Sequence, residues 1–212
     1  MNICYIACAL DCQLDFVKDK GDLVIGADRG YLSLRKNGIA PDIVIGDFDS
    51  YTGDVKCDNV DILPRVKDFT DGEMSIRYAI EKGYKRIRVY GAIGGGLDHT
   101  VANIAHCAKY TEEGIDISFI DGDNTLFAIS NGRVCFSKNA KGRISVFAYG
   151  KKAEGVYEKG LFYTLENATL DPFVPLGVSN EFVGADSEIS VKDGILLIYT
   201  SRENFENHLT KR

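Results

Sequence analysis

The first 122 residues alternate short apolar runs with segments of helical periodicity, and this alternation restricts the fold more than any other feature. The apolar runs are rich in Ile, Val and Leu and stop at turn residues, which is typical of buried strands. Because strands separated by helices usually pair in parallel, the pattern predicts a doubly wound, mostly parallel sheet with helices on both faces. The predicted strands cover 3–9, 23–27, 43–45, 60–63, 87–90 and 115–120.

The helical period is lost after residue 122, where short strand-like runs separated by turn residues begin. These runs cover 133–136, 144–149, 155–157, 161–165, 188–191 and 195–199, and Lys192-Asp193-Gly194 predicts a hairpin turn. The pattern indicates an antiparallel sandwich or barrel, of which we predict the β-sandwich. We therefore predict an α/β domain over 1–122 and an all-β domain over 123–212. The polar segment 201–212 is expected to be a short helix or a frayed end.

Composition excludes several functional classes. The chain has 212 residues, a formal net charge of −6 and scattered Lys and Arg, whereas a nucleic-acid surface needs a concentrated basic face. No apolar run is long enough to span a membrane. The apolar start lacks a basic segment before it, and the six cysteines suit reduced thiols, so a cytoplasmic location is expected.

Two carboxylates follow the predicted strand 43–45, in the segment Gly46-Asp47-Phe48-Asp49-Ser50. Alternation in an extended segment places Asp47 and Asp49 on the same side of the chain. Paired carboxylates suit a hard cation, and Mg²⁺ usually takes one or two carboxylates together with substrate phosphates. The segment is therefore a candidate metal site.

Two further acidic loops, around Asp71 and Asp98, each precede a predicted helix. Either Asp could be structural, since Thr70 and Glu73 match a capping box and Asp98 could cap its own helix. Asp28, after the second strand, could likewise ligate metal, orient a water or cap the next helix. Three acidic loops in one domain nevertheless favour a divalent cation and a phosphate over three unrelated caps.

A glycine-rich loop at 91–96 precedes the helix that contains Asp98. Backbone N–H groups in such a loop can cradle an anion. The loop lacks the Gly-Lys-Ser/Thr of a Walker A motif, and the dinucleotide-binding fingerprint is also absent. His106, among apolar neighbours on the helix, is interpreted as structural, and His99 could support Asp98.

Five motifs, in order, resemble those of thiamine pyrophosphokinases. They are ADRG at 27–30, PDIVIGDFDS at 41–50, KDFTD at 67–71, GAIGGGLDH at 91–99 and GVSNEF at 177–182. The resemblance covers essentially the whole chain and includes the change from α/β to β. It implies transfer of a pyrophosphoryl group from ATP to the hydroxyethyl oxygen of thiamine, which yields thiamine diphosphate and AMP with Mg²⁺ as the metal.

The resemblance also implies a role for individual residues. The Mg²⁺ carboxylates would be Asp47, Asp49 and Asp71, and Asp98 and Lys67 would complete the catalytic set. ATP would contact Asp28, Arg29, Ser50, Lys67, Asp68, Thr70, Gly94, Gly95 and His99. Thiamine would contact Tyr163, Ser179 and Asn180, with the active sites shared between the subunits of a homodimer. Strand alternation alone would instead make Tyr163 an ordinary core or surface aromatic, and the residue that accepts the alcohol proton stays open.

Two positions depart from the family pattern. Gly96 stands where the family usually has an Arg that meets the nucleotide phosphates, and Ala9-Leu10-Asp11 stands where relatives often have a glycine turn. Arg29, Arg65 or Lys67 could compensate for the missing Arg. The departures leave two alternatives: a thiamine- or nucleotide-binding sensor without transfer activity, and a Mg²⁺-dependent nucleotide hydrolase.

Overall fold

The computed structural model describes residues 2–47, 57, 59–62 and 69–211. This part of the chain divides into two compact units. The first comprises 1–106 with 115–121, and the second comprises 107–114 with 122–212. The domain boundary predicted from the sequence put all of 1–122 in the first domain. The predicted domains and the two compact units therefore differ at 107–114.

The first unit contains six parallel strands in the order β4-β3-β2-β1-β5-β6. They are β1 (Cys4–Ala7), β2 (Leu23–Ala27), β3 (Ile43–Gly46), β4 (Val60–Ile62), β5 (Arg86–Tyr90) and β6 (Asp116–Asp121). The predicted strands and their parallel pairing are thus confirmed. Successive residues of β1 and of β3 are all buried, which requires cover on both faces of these strands. Helices on both faces stay a prediction.

Three helices connect the strands: α1 (Gly30–Lys36), α2 (Asp71–Glu81) and α3 (Leu97–Glu112). α2 packs against β1, β2 and β3 and buries Ile76 and Ala79, as its apolar period predicts. α3 follows its predicted face less closely, because Val101 is exposed and the buried residues are Cys107, Ala108 and Tyr110.

The second unit is antiparallel. Its strands are β7 (Asn124–Ser130), β8 (Arg133–Phe136), β9 (Arg143–Lys159), β10 (Leu165–Leu170), β11 (Gly177–Glu181), β12 (Ser187–Ser190), β13 (Asp193–Ser201) and β14 (Leu209–Lys211). β9 is 17 residues long and pairs with β10, β11, β12 and β13. An apolar core that includes Phe127, Phe136 and Ile198 lies within this unit. Packing of two sheets as a sandwich stays a prediction.

The predicted hairpin at Lys192-Asp193-Gly194 is wrong. β12 and β13 do not pair with each other, because both run antiparallel to β9. The register is continuous from β12 to Asp193 and shifts between Asp193 and Ile195. Ser190 pairs with Tyr157, and Asp193, three residues later, pairs with Glu154. The chain therefore continues along β9 at this point instead of reversing.

Two other strand predictions need correction. The run at 161–165 is not a strand: Leu161 forms an isolated bridge with Phe182, and β10 starts only at Leu165. β7, which the sequence reading missed, pairs with β13 along its whole length. The tail contains a π-helical turn (Asn204–His208) before β14, so it is ordered to residue 211.

Two general expectations can be compared with the described residues. None of the helices described is both long and apolar enough to cross a membrane. The six cysteines, all of which lie in the described part, form no disulfide there.

Candidate functional site

A cavity of about 310 Å³ lies in the first unit at the carboxyl ends of β1, β2 and β5. β1 lies between β2 and β5, where the strand order reverses, and parallel α/β sheets bind ligands outside the strand ends at such a point. The volume is at the lower end of the range for small-molecule sites. The lining residues are Cys8, Ala9, Leu10, Ala27, Asp28, Thr70, Asp71, Gly72, Gly91, Ala92, Gly94, Gly96, His99 and Asn103.

Asp28 enters the cavity from a strained backbone. Its φ of 47° is left-handed, a conformation that Asp adopts more readily than most residues. The Asp28 N–H donates to Ile45 O at 2.8 Å. A Cβ at Gly46 would lie 2.9 Å from Asp28 Cα, so the glycine permits this close approach of two strand ends. Arg29 is the N-cap of α1 and makes no side-chain cap hydrogen bond, and the Tyr31 N–H donates to Asp28 O at 3.2 Å, so the capping alternative for Asp28 stays open.

The start of α2 presents Asp71 to the same cavity. Thr70 is the N-cap, and its hydroxyl oxygen accepts the Glu73 N–H at 3.1 Å, as the capping motif predicts. Asp71 is the first residue of the helix, where the helix dipole stabilises a carboxylate. The N-cap of α2 is therefore Thr70, and Asp71 occupies the first helical position beside the cavity.

Glu73 is buried in the first turn of the helix and contacts the side chains of Arg77 and His106. It accepts from Arg77 Nε and Nη2 at 3.2 and 3.1 Å, and His106 Nε2 on α3 lies 3.1 Å from Glu73 Oε2. The Arg77 guanidinium also stacks 4.0 Å from the centre of the Phe69 ring. His106 thus joins α3 to α2, in keeping with its predicted structural role.

The glycine loop forms another wall of the cavity. Gly91, Gly94 and Gly95 have positive φ, which glycine adopts without strain. Two side chains of α3 fix the loop: Asn103 Nδ2 donates to Ala92 O at 2.7 Å, and Thr100 Oγ1 donates to the carbonyl oxygens of Gly94 and Gly96. The loop is therefore held in shape by hydrogen bonds from its own helix.

Asp98 lies in the first turn of α3 and is exposed. Its Oδ1 accepts the N–H of the next residue, His99, at 2.9 Å. Thr100 N donates to Gly96 O at 3.1 Å, so the helix begins before Asp98, and Asp98 satisfies the His99 N–H from within the first turn and not from the N-cap position.

Cys8 contributes a thiol group to the cavity wall. Burial raises the pKa of its thiol to about 12, with smaller contributions from Cys12 and Asp71. The thiol is therefore protonated at neutral pH, which makes Cys8 a poor nucleophile and a poor metal ligand.

In the second unit, Tyr163 and Phe162 present two aromatic rings to solvent. They are 64% and 63% exposed, and the ring centres lie 4.9 Å apart in an edge-to-face arrangement. The backbone at Tyr163 is fixed by Asn180, whose Oδ1 accepts the Tyr163 N–H at 2.9 Å and whose Nδ2 donates to Tyr163 O at 2.7 Å.

Ser179 precedes Asn180 and is exposed with a left-handed φ of 59°. A register shift between Gly177 and Asn180 accompanies this conformation. Left-handed backbone at a non-glycine residue is uncommon and tends to occur at functional sites. Tyr163, Ser179 and Asn180, all predicted from the sequence, thus lie in one region of the second unit.

Some of the predicted site residues line the cavity, and others do not. Asp28, Asp71, Thr70, Gly94 and His99 line the cavity, whereas Arg29, Asp47, Gly95 and Asp98 do not. Asp49, Ser50, Lys67 and Asp68 lie outside the described residues, so their predicted roles stay predictions. Within 2–47, 57, 59–62 and 69–211, no group of three or more His, Cys, Asp or Glu could hold a metal ion.

Several lining residues were not predicted. Cys8, Ala9 and Leu10 follow β1, and the sequence motifs contain no polar signal there. Asn103 was also missed, although it lies four residues after His99 on the same helix, and this spacing places both on one face.

Comparisons with known proteins agree over both units. The family model for the thiamin pyrophosphokinase catalytic domain matches residues 15–119, and the model for the thiamin pyrophosphokinase vitamin B1 binding domain matches residues 133–196. Thiamine pyrophosphokinase of Bacillus subtilis (strain 168) is 29% identical over 192 residues, which covers 87% of this chain and 90% of that protein.

Two solved structures have the same fold. The crystal structure of thiamine pyrophosphokinase from Bacillus subtilis matches with a TM-score of 0.83 and 26% identity, covering 95% of this chain and 99% of that one. The corresponding protein from Geobacillus thermodenitrificans matches with a TM-score of 0.82 and 27% identity, covering 95% and 97%. Both units match models of one family, and the chain belongs to the thiamin pyrophosphokinase family.

Proposed function

We propose that the protein transfers the pyrophosphoryl group of ATP to the hydroxyethyl oxygen of thiamine, giving thiamine diphosphate and AMP. Membership of the family supports the coarser statement, a kinase that transfers pyrophosphate to thiamine. ATP as donor, Mg²⁺ as the metal and the residue roles are the finer parts of the proposal. The observation that carries them is the cavity in which Asp28 and Asp71 face a glycine loop.

The cavity residues fit a polyphosphate with a divalent cation. Asp28 and Asp71 supply carboxylate oxygens, the donors that Mg²⁺ prefers, and the glycine loop offers backbone N–H groups in front of α3. Bound Mg²⁺ would neutralise charge that develops on the transferring group. Asp47, the residue after β3, and Asp49, which lies outside the described residues, would complete the set of carboxylates.

The chain's own residues would act by positioning and electrostatics. Attack at the β-phosphorus needs the alcohol oxygen held in line with the leaving group, and little further covalent chemistry falls to the protein. The hydroxyls of Ser50 and Thr70 and the Lys67 ammonium would donate to phosphate oxygens. A carboxylate among Asp28, Asp47, Asp49, Asp71 and Asp98 would accept the alcohol proton.

Thiamine would bind at Tyr163, with Ser179 and Asn180 beside it. An exposed aromatic face suits a flat pyrimidine or a cationic thiazolium. The backbone of Tyr163 is tied to Asn180, so the ring is presented from a fixed point. Fixing the ring in advance reduces the entropy lost on binding.

A homodimer with shared active sites forms part of the proposal. Its support is a set of exposed apolar side chains in the second unit, which a monomer would leave in water: Phe162, Phe173, Val174, Leu176 and Val178. Sedimentation at several protein concentrations tests this part separately from activity.

Chromatographic product analysis tests the reaction. Purified protein is incubated with ATP and Mg²⁺, with and without thiamine, and AMP, ADP and thiamine diphosphate are measured together. Equal amounts of AMP and thiamine diphosphate, formed only when both thiamine and Mg²⁺ are present, are expected. ADP formation would indicate phosphoryl instead of pyrophosphoryl transfer, and AMP formation without thiamine would indicate hydrolysis.

A further inference from the structure

Glu158 is a buried carboxyl group in the interior of the second unit. It lies on β9 between β10 and β12, opposite Leu165 and Ile189, and is only 1% exposed. Its Oε1 has no hydrogen-bond partner among the described residues. Burying a polar group in this way costs free energy unless a specific contact compensates for the loss of water.

The compensating contact is the side chain of Asn180. Asn180 Nδ2 donates to Glu158 Oε2 at 2.8 Å, and both residues are buried. Asn180 Nδ2 also donates to Tyr163 O, while its Oδ1 accepts the N–H groups of Tyr163 and Glu181, each at 2.9 Å. All four hydrogen-bonding positions of the amide are therefore used, and its orientation is fixed.

The backbone at Tyr163 depends on this amide because it belongs to no strand. The segment between Leu161 and Leu165 does not pair with a neighbouring strand. A second backbone contact is the hydrogen bond from the Phe162 N–H to Glu181 O at 2.9 Å. The Asn180 side chain therefore supplies hydrogen bonds to Tyr163 that a neighbouring strand would otherwise make. Glu158 accepts the second N–H of the Asn180 side-chain amide.

We propose that Glu158 is a positioning residue for Tyr163 in thiamine binding, acting through Asn180 on the backbone of Tyr163. The inference rests on the proposed function for the part played by thiamine. The mechanical link from Glu158 to Tyr163 stands on the hydrogen bonds alone.

The neutral form of Glu158 suits this role. Burial raises the pKa of the carboxyl group, and the hydrogen bond from Asn180 lowers it by less. A carbonyl-type oxygen is enough to accept the Asn180 N–H, so glutamine should replace glutamate here and leucine should not.

Steady-state kinetics of matched variants test the positioning role. Glu158→Leu removes the acceptor, and Glu158→Gln keeps it. Glu154→Leu makes the same change at an exposed position of the same strand. Glu158→Leu should raise the KM for thiamine about tenfold, the effect of one lost buried hydrogen bond, with kcat and the KM for ATP within about twofold. Glu158→Gln and Glu154→Leu should stay within about twofold of wild type on every constant.

A thiamine KM in Glu158→Leu equal to that of Glu154→Leu would overturn the proposal. An equally large rise in Glu158→Gln would also overturn it, because the acceptor is then not what matters. Should Glu158→Leu fail to fold, Glu158→Asp withdraws the carboxyl group from Asn180 and is judged by the same constants.

Amide hydrogen exchange separates this inference from the proposed function. The N–H groups of Tyr163 and Glu181 should exchange about tenfold faster in Glu158→Leu than in Glu158→Gln, whether or not the protein turns over thiamine. Unchanged exchange at both amides would refute the link. Wild-type protein that forms no thiamine diphosphate would refute the proposed function and leave the exchange result to decide the link.

Discussion

The two candidate sites use polar side chains in opposite ways. In the first unit Asp28, Asp71 and His99 face an open cavity, and glycines and a left-handed Asp28 shape the surrounding backbone. In the second unit the polar side chains of Glu158 and Asn180 are buried, and the aromatic rings of Phe162 and Tyr163 are exposed to solvent. In the proposed function the first site would contact charge, whereas the second would hold an aromatic surface in place.

The difference predicts different kinetic consequences. A group that contacts developing charge acts mainly in the transition state, so its loss lowers kcat. A ring that stacks on substrate contributes equally to ground and transition states, so its loss raises KM. Variants in the two units should therefore separate along these two constants.

The largest effect is expected at Asp71. Asp71→Asn keeps the shape of the side chain and removes its charge, so kcat should fall about 10³-fold, or about 4 kcal/mol of transition-state stabilisation. Circular dichroism and the free energy of unfolding should change little. Asp123→Asn, at an exposed turn, is the matched control and should retain full activity. Full activity in Asp71→Asn would remove this residue from the metal and phosphate site.

The second largest effect is expected at Tyr163, and it should appear in the KM for thiamine instead of kcat. Tyr163→Ala should raise the KM for thiamine about tenfold at nearly constant kcat, because the stacking surface is lost. Tyr163→Phe keeps the ring and should stay within about twofold of wild type. A fall in kcat without a change in the thiamine KM would contradict the division of roles between the units.

A smaller gain is expected from restoring a cation at Gly96. The φ of Gly96 is not left-handed, and a Cβ there would meet Asp98 Oδ1 at 2.6 Å, an exposed side-chain atom that can rotate away. Gly96→Arg should therefore be tolerated and should lower the KM for ATP about threefold through contact with phosphate. Gly96→Gln introduces a long side chain without the positive charge, so a comparison of the two variants separates the effect of charge from that of size. If both variants change the KM equally, charge at this position is irrelevant.

The smallest effect concerns stability and tests the buried character of the second site. Because burial raises the pKa of Glu158, the folded protein holds this proton more tightly than the unfolded chain. Stability is then lost as the pH rises from the ordinary Glu pKa through the raised one. Glu158→Gln removes this loss, so its free energy of unfolding relative to wild type should increase from acidic to neutral pH. Urea denaturation across this range would show a constant difference if Glu158 titrated normally.

Local patterns in the sequence were sufficient for the first unit. The strands, their parallel pairing and the placement of polar motifs at their carboxyl ends follow from period and turn residues over about ten positions. The Thr70 cap was predicted for the same reason. The position of Asp98 needed the structure, because capping depends on where the helix begins, and α3 begins before Asp98.

The second unit was harder to predict because its pairing is not local. Lys192-Asp193-Gly194 has the composition of a hairpin turn, but the length of β9 lets β12 and β13 follow one another along it. The local sequence of β12 or β13 contains no information on the length of β9, which is distant in the chain. The strand predicted at 161–165 failed for a similar reason, since Asn180 holds this backbone by side-chain hydrogen bonds.

The sequence by itself determined the parallel α/β half, the change to antiparallel strands and the family motifs, because each is written in residues that are neighbours in the chain. The tertiary structure decided which residues meet: Glu73 with His106, the strand ends around one cavity, and Glu158 with Asn180 beneath Tyr163. A carboxyl group in the sequence has the same chemistry wherever it lies. Burial and the partner that the fold supplies make Asp71 a candidate ligand for a cation and raise the pKa of Glu158, which is a candidate support for Asn180.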